Sequence, residues 1–380
     1  MPKRFNLLTV ILLVMMVIAL SRSGLGAPKI TADAAVVLDA RTGSIIYGSS
    51  SYQRRPPASI TKILTGIIAL ETGRLHDQVL VSPDAVYTEG SSIYLQPGEK
   101  ITLEELIWGA MLESGNDACV AIAEYLAGNE YEFSYLQNRK AKAIGAWDTQ
   151  FVNPHGLPDP EHYSTAYDLG LMARYALRNR KFQQIVRTCE KKPDQTGMAR
   201  SYINTNRLLW SYSGCDGVKT GTTREAGQCL VASASRRGRQ LVAVVLHSDN
   251  RWEDAARLLD YGFDHTELVK IAAAGQPVKI KLADGLEPGL DCRTASDLYI
   301  VLPAAKVPQV NTKYVTLPNL KSPVFRGEKV GEIQVWLDGN LLARTNLLAA
   351  VTMPARNWFT VLIWRGYRPL LAWLKKWHVL

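Results

Sequence analysis

Apolar residues recur with two different periods along the chain, and the switches between them outline its organisation. Ala35–Asp39 and Ser44–Tyr47 are apolar, β-rich runs joined around Arg41-Thr42-Gly43, which predicts a hairpin. From Ser59 the period lengthens. Ile60, Ile63, Leu64, Ile67, Ile68 and Leu70 recur at helical spacing, with Gly73 as the stop. Leu103 to Leu112 and Ala118 to Leu126 predict two more helices with Ser114-Gly115-Asn116 between them, and Thr165 to Leu177 predicts another. Strands return at Gln228–Ala234 and Gln240–Leu246 around Arg236-Arg237-Gly238, and a helix follows from Arg251 to Tyr261. An early strand pair, a helical middle and late strands predict an α+β domain over residues 28–265, built on an antiparallel sheet.

Beyond about residue 268 the texture shifts. Val269–Ala272, Val278–Lys281, Leu298–Val301, Tyr314–Leu317 and Ile333–Leu337 are short, strand-like runs separated by Pro, Gly, Asp and Asn. They predict a small all-β, sandwich-like domain over 266–352. Residues 353–380 form a different element. Trp358, Phe359, Leu362, Ile363, Tyr367, Leu370, Leu371, Leu374 and Trp377 fall on one broad helical face, and Arg365, Arg368, Lys375 and Lys376 on the other. A basic, Trp-rich amphipathic helix of this kind lies in a membrane interface; the alternative is a terminal helix docked on the protein's own core. At the other end, Lys3 and Arg4 precede an apolar run from Leu7 to Leu20, and small residues follow to Ala27. This is the pattern of an export signal over 1–27. The run is shorter than the roughly 20 residues that span a bilayer, which favours cleavage over an uncleaved anchor. Either way the remaining chain is expected outside the cytoplasm, at the outer face of the cytoplasmic membrane.

Composition adds three constraints. With 47% apolar and 21% charged residues in 380, the chain is globular rather than disordered. Part of its net charge of +9 sits at the two ends, with no acidic residue after Asp338, which points to a membrane surface and away from nucleic acid. The five cysteines (Cys119, Cys189, Cys215, Cys229, Cys292) are odd in number and form no C-x-x-C pair. They indicate neither a metal site nor a disulfide framework, so buried free thiols are the simpler reading and a single pair the other.

Ser59-Ile60-Thr61-Lys62 is the sole S-x-x-K in the chain. On a helix, positions i and i+3 share a face, so the lysine amine sits beside the serine hydroxyl. An amine kept neutral by burial accepts the serine proton, and the helix N-terminus aims backbone N–H groups at a developing oxyanion. Alone the motif is weak, since it arises by chance about once in a chain this long. Two further motifs change its weight. Ser114-Gly115-Asn116 lies between two predicted helices, where a short loop presents both polar side chains to a cleft. Lys219-Thr220-Gly221 stands just before the predicted strand at Gln228, followed by Thr222 and Thr223, with a cation and hydroxyls suited to a carboxylate. S-x-x-K, S-x-N and K-T-G in that order form the signature set of penicillin-binding proteins and serine β-lactamases. Ser248-Asp249-Asn250 also fits S-x-N, but it follows Lys219 and reads as a turn and helix cap.

Pro57-Ala58-Ser59-Ile60-Thr61-Lys62, Asn153-Pro154-His155-Gly156-Leu157-Pro158, His162-Tyr163-Ser164-Thr165-Ala166, Asn204-Thr205-Asn206 and Asp216 through Thr223 resemble the low-molecular-mass D-Ala-D-Ala carboxypeptidases over nearly the whole chain. The order of segments resembles that family too: signal peptide, catalytic domain of the β-lactamase/DD-peptidase type, small β-domain and C-terminal anchor. The resemblance implies Ser59 as nucleophile and Lys62 as general base, with Ser114 relaying the proton to the leaving amine and Asn116 orienting Lys62 and the substrate amide. It implies Lys219, Thr220, Gly221 and Thr222 as the strand that binds the substrate carboxylate, and the N–H groups of Ser59 and Thr222 as the oxyanion hole. Arg251 is implied to help hold the carboxylate, and His155 to border the site. The substrate is then the peptidoglycan stem peptide, β-lactams acylate the same serine, and no metal or organic cofactor is required.

Three other readings stay open at this level, one of which keeps the fold but moves the reaction toward endopeptidase or transpeptidase work, since the chemistry up to the acyl-enzyme is shared. A class A-like β-lactamase needs a deacylating glutamate in an E-x-x-x-N frame, and none of Glu124, Glu130, Glu132, Glu161 and Glu190 has Asn four residues later. A non-catalytic peptidoglycan-binding scaffold would need none of Ser59, Lys62, Ser114, Asn116 and Lys219.

Overall fold

The computed structural model describes residues 26–193, 199–282, 284–286 and 289–363. These divide into two compact units, one ending at Asp264 and the other beginning at His265.

The first unit is built on an antiparallel sheet of five strands. Its members are β1 (Ala34–Asp39), β2 (Ile45–Ser49), β7 (Cys215–Thr223), β8 (Gly227–Arg236) and β9 (Arg239–Ser248), in the order β2-β1-β9-β8-β7. Short pairs β3 (Gln78–Leu80) with β4 (Lys100–Thr102), and β5 (Glu190–Lys191) with β6 (Tyr202–Ile203), lie outside it. Every residue of β1 is buried, because the sheet is covered on both faces. Ala34, Val36 and Leu38 join the core shared with the helices, whereas Ala35 and Val37 pack with Leu258 and Leu259 of the late helix. A strand so placed reads as one continuous apolar run.

The helical layer contains α1 (Lys62–Glu71), α2 (Leu103–Leu112), α3 (Asn116–Ala127), α4 (Glu130–Ile144), α5 (Ala166–Ala176) and α6 (Arg180–Arg187), and α7 (Arg251–His265) covers the other face. Helix α1 buries nearly its whole circumference, Lys62 included. Helix α4 escapes the apolar pattern because its buried positions are Phe133, Ser134, Gln137 and Ala141, two of them polar. Its cap is legible all the same, with Asn129 Oδ1 accepting from Glu132 N at 2.8 Å. The pattern also passes over α6, a short helix capped by Asn179.

The second unit is all-β. β11 (Pro277–Lys281), β12 (Gly289–Thr294), β14 (Asn311–Thr316), β15 (Lys329–Leu337) and β16 (Asn340–Ala349) form a sheet in the order β11-β12-β16-β15-β14. β10 (Glu267–Ala272) pairs with β13 (Leu298–Leu302). The hairpin β15–β16 turns on Asp338-Gly339, both at positive φ (50° and 78°), the chemistry of a tight two-residue turn.

Residues 358–363 form a helical turn whose Trp358, Phe359, Leu362 and Ile363 are exposed. The rest of the predicted amphipathic helix, 364–380, and the predicted export signal through residue 25 lie outside the described residues. Among the described residues no helix is long and apolar enough to cross a membrane. All five cysteines are unpaired, and Cys119, Cys229 and Cys292 are buried.

Candidate active site

The chain reaches Ser59 through Arg54-Arg55-Pro56-Pro57 and makes one 3₁₀ turn, Ala58–Thr61, before α1 begins at Lys62. The first turn is therefore tighter than the α-helix expected from the periodicity. In a 3₁₀ turn side chains three apart nearly eclipse, which brings Lys62 over Ser59. Its Nζ lies 2.9 Å from the half-buried Ser59 Oγ. A neutral histidine props this turn. His162 Nδ1 accepts from Val152 N at 3.1 Å, so Nε2 carries the proton and meets Thr61 Oγ1 at 2.8 Å. Thr61 Oγ1 in turn donates to Ala58 O at 2.9 Å. Burial pushes the His162 imidazole down to about 3, which keeps it neutral.

Lys62 is completely buried. Besides Ser59, its Nζ donates to Asn116 Oδ1 at 2.6 Å and to His155 O at 2.8 Å. Desolvation lowers its amine to about 8, against the opposing pull of Cys119 and Asp117. The His155 carbonyl is delivered by the loop Asn153–Pro158, which is pressed against the serine turn. A Cβ on Gly156 would stand 1.9 Å from Ala58 O, and its φ is +92°, so only glycine fits. The His155 ring turns away: Nδ1 accepts from Leu157 N at 3.2 Å, and Nε2 lies 3.2 Å from Glu130. His155 thus contributes its backbone to the site.

Ser114 ends the connection after α2 at φ +66°, and Asn116 opens α3. The Ser114 hydroxyl has no hydrogen-bond partner among the described residues. Asn116 is held from two sides: its Nδ2 donates to Glu89 O and its backbone N to Ser91 O, both at 2.6 Å. The amide is thereby oriented with Oδ1 on the lysine. The segment that supplies those carbonyls hangs on the next residue. Fully buried Asp117 accepts from Ser92 Oγ at 2.6 Å, Ile93 N at 3.0 Å and Leu95 N at 3.2 Å. Sequence reasoning passed over Asp117 and Glu89–Leu95 and weighed Glu130 only as a deacylating glutamate; the one available signal was a charged residue directly after Asn116, ahead of the apolar run Ala118–Ala123.

Lys219-Thr220-Gly221 lies within β7, the edge strand of the sheet, rather than ahead of the first late strand. A Cβ on Gly221 would stand 3.0 Å from Ser59 N and 3.1 Å from Pro57 O, so the bare backbone lets strand and serine turn meet. Lys219 is buried, and its one described hydrogen bond runs to Thr220 O at 3.2 Å. Desolvation, then the nearby Lys62, hold its amine well below the usual lysine range. Thr220 Oγ1 meets Thr205 Oγ1 at 2.7 Å. Arg251 Nη1 donates to Thr222 Oγ1 at 2.7 Å and Gly221 O at 3.0 Å, which places a cation behind the strand. Ser248-Asp249-Asn250 takes no part: Ser248 Oγ donates to Asp254 at 2.7 Å, and Asn250 Oδ1 accepts from Glu253 N at the start of α7.

A half-buried serine hydroxyl against a desolvated amine, beside an open strand edge lined with cations, is the arrangement of a serine peptidase of the Ser–Lys kind. Comparison with known proteins gives the family. The D-alanyl-D-alanine carboxypeptidase family model matches residues 22–250, and that of the penicillin-binding protein 5 C-terminal domain matches 267–355. The chain belongs to the D-alanyl-D-alanine carboxypeptidases, which are serine peptidases. It is 34% identical over 342 residues to D-alanyl-D-alanine carboxypeptidase DacF of Bacillus subtilis, covering 87% of this chain and 88% of that one. Against DacD of Escherichia coli it is 34% identical over 328 residues, with 81% and 83% covered. The crystal structure of penicillin-binding protein 5 from Haemophilus influenzae superposes with a TM-score of 0.78 at 30% identity, over 87% of this chain and all of that one.

Replacing Asp117 by Ala removes the acceptor from Ile93 N and Leu95 N. Each lost buried hydrogen bond costs about 1–3 kcal/mol, so exchange of these two amides should accelerate about 10- to 100-fold. Hydrogen-exchange mass spectrometry of peptides spanning 89–95 measures this, and unchanged protection there would refute the assignment.

Proposed function

We propose that the chain removes the terminal D-alanine from peptidoglycan stem pentapeptides through an acyl-enzyme on Ser59. The observation that carries this reading is the environment of the Lys62 amine. Two of its three neighbours, Asn116 Oδ1 and His155 O, can only accept. A neutral amine has two N–H bonds and one lone pair. With the N–H bonds committed to those oxygens, the lone pair faces the Ser59 hydroxyl.

In the proposed reaction Ser59 Oγ attacks the carbonyl carbon of the penultimate D-alanine while its proton passes to Lys62 Nζ. The oxyanion is received by the N–H groups of Ser59 and Thr222. The tetrahedral intermediate collapses with cleavage of the C–N bond, and the proton moves from Lys62 through the Ser114 hydroxyl to the departing amine. Water then attacks the ester carbonyl as Lys62 again takes the proton, and the C–O bond to Ser59 breaks as that proton returns to Oγ, releasing the shortened peptide. Lys219, Thr220 and Thr222 hold the terminal carboxylate, with Arg251 reinforcing the positive potential. An arriving carboxylate raises the Lys219 amine back towards its charged form. A β-lactam acylates the same serine. The enzyme acts outside the cytoplasm in building or remodelling the cell wall, with the helix that begins near Trp358 resting on the membrane surface.

Incubating the full-length protein with penicillin should give one adduct, mapped by peptide mass spectrometry to Ser59, and Ser59→Ala should abolish both adduct and D-alanine release. Loss of neither would favour a scaffold, and penicillin hydrolysis without an adduct would favour a β-lactamase. Because Lys62 acts as a base only when neutral, and its amine sits at about 8, the acylation rate should rise with pH and level off above that value. A stopped-flow profile that is flat or falling between about pH 6.5 and 8.5 would exclude Lys62 as the base. Removal of residues 354–380 should release an active enzyme from the membrane fraction; sedimentation with membranes after that truncation would contradict the anchor.

A further inference from the structure

A pocket of about 370 Å³ opens between α4 and the strip 149–152, and none of the candidate active-site side chains lines it. From the helix come Tyr131, Ser134, Tyr135, Asn138 and Lys142, whose spacing of three and four places them on one face. Its width is fixed, because Asn138 exchanges two hydrogen bonds with the Phe151 backbone, each at 2.8 Å. Ser134 is 4% exposed, and its Oγ is buried without a hydrogen-bond partner. Tyr131 and Tyr135 stand to either side of it along the helix. Both are largely exposed, so their rings can turn as a ligand group approaches that hydroxyl. None of the residues lining the pocket is acidic. The Arg139 guanidinium sits 5.9 Å from the centroid of the Tyr135 ring, and no ion pair reaches Arg139 or Lys142 among the described residues. Glu161 touches the wall only through Gln150 Nε2, at 3.3 Å, and leaves both cations without a counter-charge.

We propose that this pocket binds a saccharide ring carrying an anionic group, either a carboxylate or a phosphate. The apolar face of a pyranose covers the tyrosine rings, as a flat C–H surface covers an aromatic one. The anionic substituent lies between Arg139 and Lys142, and a hydroxyl or acetamido group of the sugar gives Ser134 Oγ its partner. Each simpler ligand leaves part of the lining unused. A neutral sugar does nothing for the two cations, a small inorganic anion leaves both rings in water, and a purely apolar ligand covers charge without pairing it. The volume falls within the range of small-ligand sites, and the two Asn138 bonds mean that little order has to be imposed on binding. This site goes beyond the proposed reaction, since it needs neither Ser59 nor Lys62. It also adjoins that reaction, because the strip 149–152 runs on into the loop whose His155 carbonyl meets Lys62. A protein acting on wall peptides then has a separate hold on the anionic sugar polymer beside them.

The test titrates the full-length protein, preincubated with penicillin, with N-acetylglucosamine, N-acetylmuramic acid and N-acetylglucosamine 1-phosphate. Ligand-observed NMR at low ionic strength reads the three dissociation constants. Two exposed charge contacts predict that one or both anionic sugars bind about fivefold more tightly than the neutral one. The tighter of the two tells whether the site is made for a carboxylate or a phosphate. Arg139→Gln combined with Lys142→Gln should bring the anionic sugars to the affinity of the neutral one, and Tyr135→Ala should weaken all three about threefold. The anionic preference is a ratio measured on one preparation, so a partly folded variant leaves it intact. Equal binding of all three sugars, binding of none, or a preference that survives the double substitution overturns the site. Mass spectrometry of the same sample reads the penicillin adduct separately. An adduct on Ser59 without sugar binding removes this site alone, and sugar binding without an adduct removes only the proposed reaction.

Discussion

An amine shut away from water at Lys62 is the constraint on which the rest of the site depends. Burial makes its charged form costly, and this brings the amine down to about 8. The same burial means that each of its N–H bonds must find an acceptor inside the protein. Its polar partners come from separate stretches of chain: Ser59 in the 3₁₀ turn, Asn116 at the start of α3, and the His155 carbonyl in the loop before Pro158. None is in place until its own segment is folded. The 3₁₀ turn rests on the neutral His162 through Thr61. The Asn116 amide is aimed by Glu89 O, and the Glu89–Leu95 segment is in turn suspended from Asp117.

The composition of α4 makes sense in the same terms. Its inner face is too polar for a helix that merely fills a core, and although Ser134 Oγ is buried there without a partner, several of the helix's other polar groups are used. Gln137 Nε2 donates to Thr65 Oγ1, which donates to Pro154 O. Asn138 exchanges two hydrogen bonds with the Phe151 backbone, each at 2.8 Å. Glu130 meets the His155 ring. The helix therefore binds the loop that delivers the His155 carbonyl to Lys62, and its side chains answer to the backbone groups of that loop. A loop without regular structure has no ladder of its own to satisfy those groups.

This explains what was legible in the sequence and what was not. The α+β architecture, the hairpin β1–β2 and the helices α1, α2, α3 and α5 follow from local periodicity. The three motifs were legible because short spacing translates directly into position: Ser59 and Lys62 share one turn, and Ser114-Gly115-Asn116 joins two helices. Helix α4 was hidden because its buried face is Phe133, Ser134, Gln137 and Ala141, which no apolar count detects. β12 and β16 were hidden by charged or polar residues such as Asp291, Arg293 and Asn346 within them. β7 was hidden from periodicity and implied only by the family resemblance, since Gly217, Lys219 and Gly221 are poor strand formers that sheet pairing and the serine turn nevertheless require. Asp117 and the segment it holds depend on long-range hydrogen bonds, for which one sequence has no local sign.

A buried Lys219 amine held down by burial and by its neighbour Lys62 also bears on why the enzyme is a carboxypeptidase. Lys219 is held below the usual lysine range by burial and by the charge of Lys62, and its sole described partner is a backbone carbonyl. On the proposed assignment of Lys219 to the terminal carboxylate, the substrate would bring the missing counter-charge and Lys219 would ionise as the complex forms, with Arg251 beside Thr222 deepening the same potential. A charge there would in turn oppose protonation of Lys62, favouring the neutral amine that the proposed base must be. A peptide bond inside a chain brings no carboxylate, leaves Lys219 without a partner and gives Lys62 no such bias. On that proposal, preference for the end of the peptide would follow from the electrostatics of two amines in one dry site.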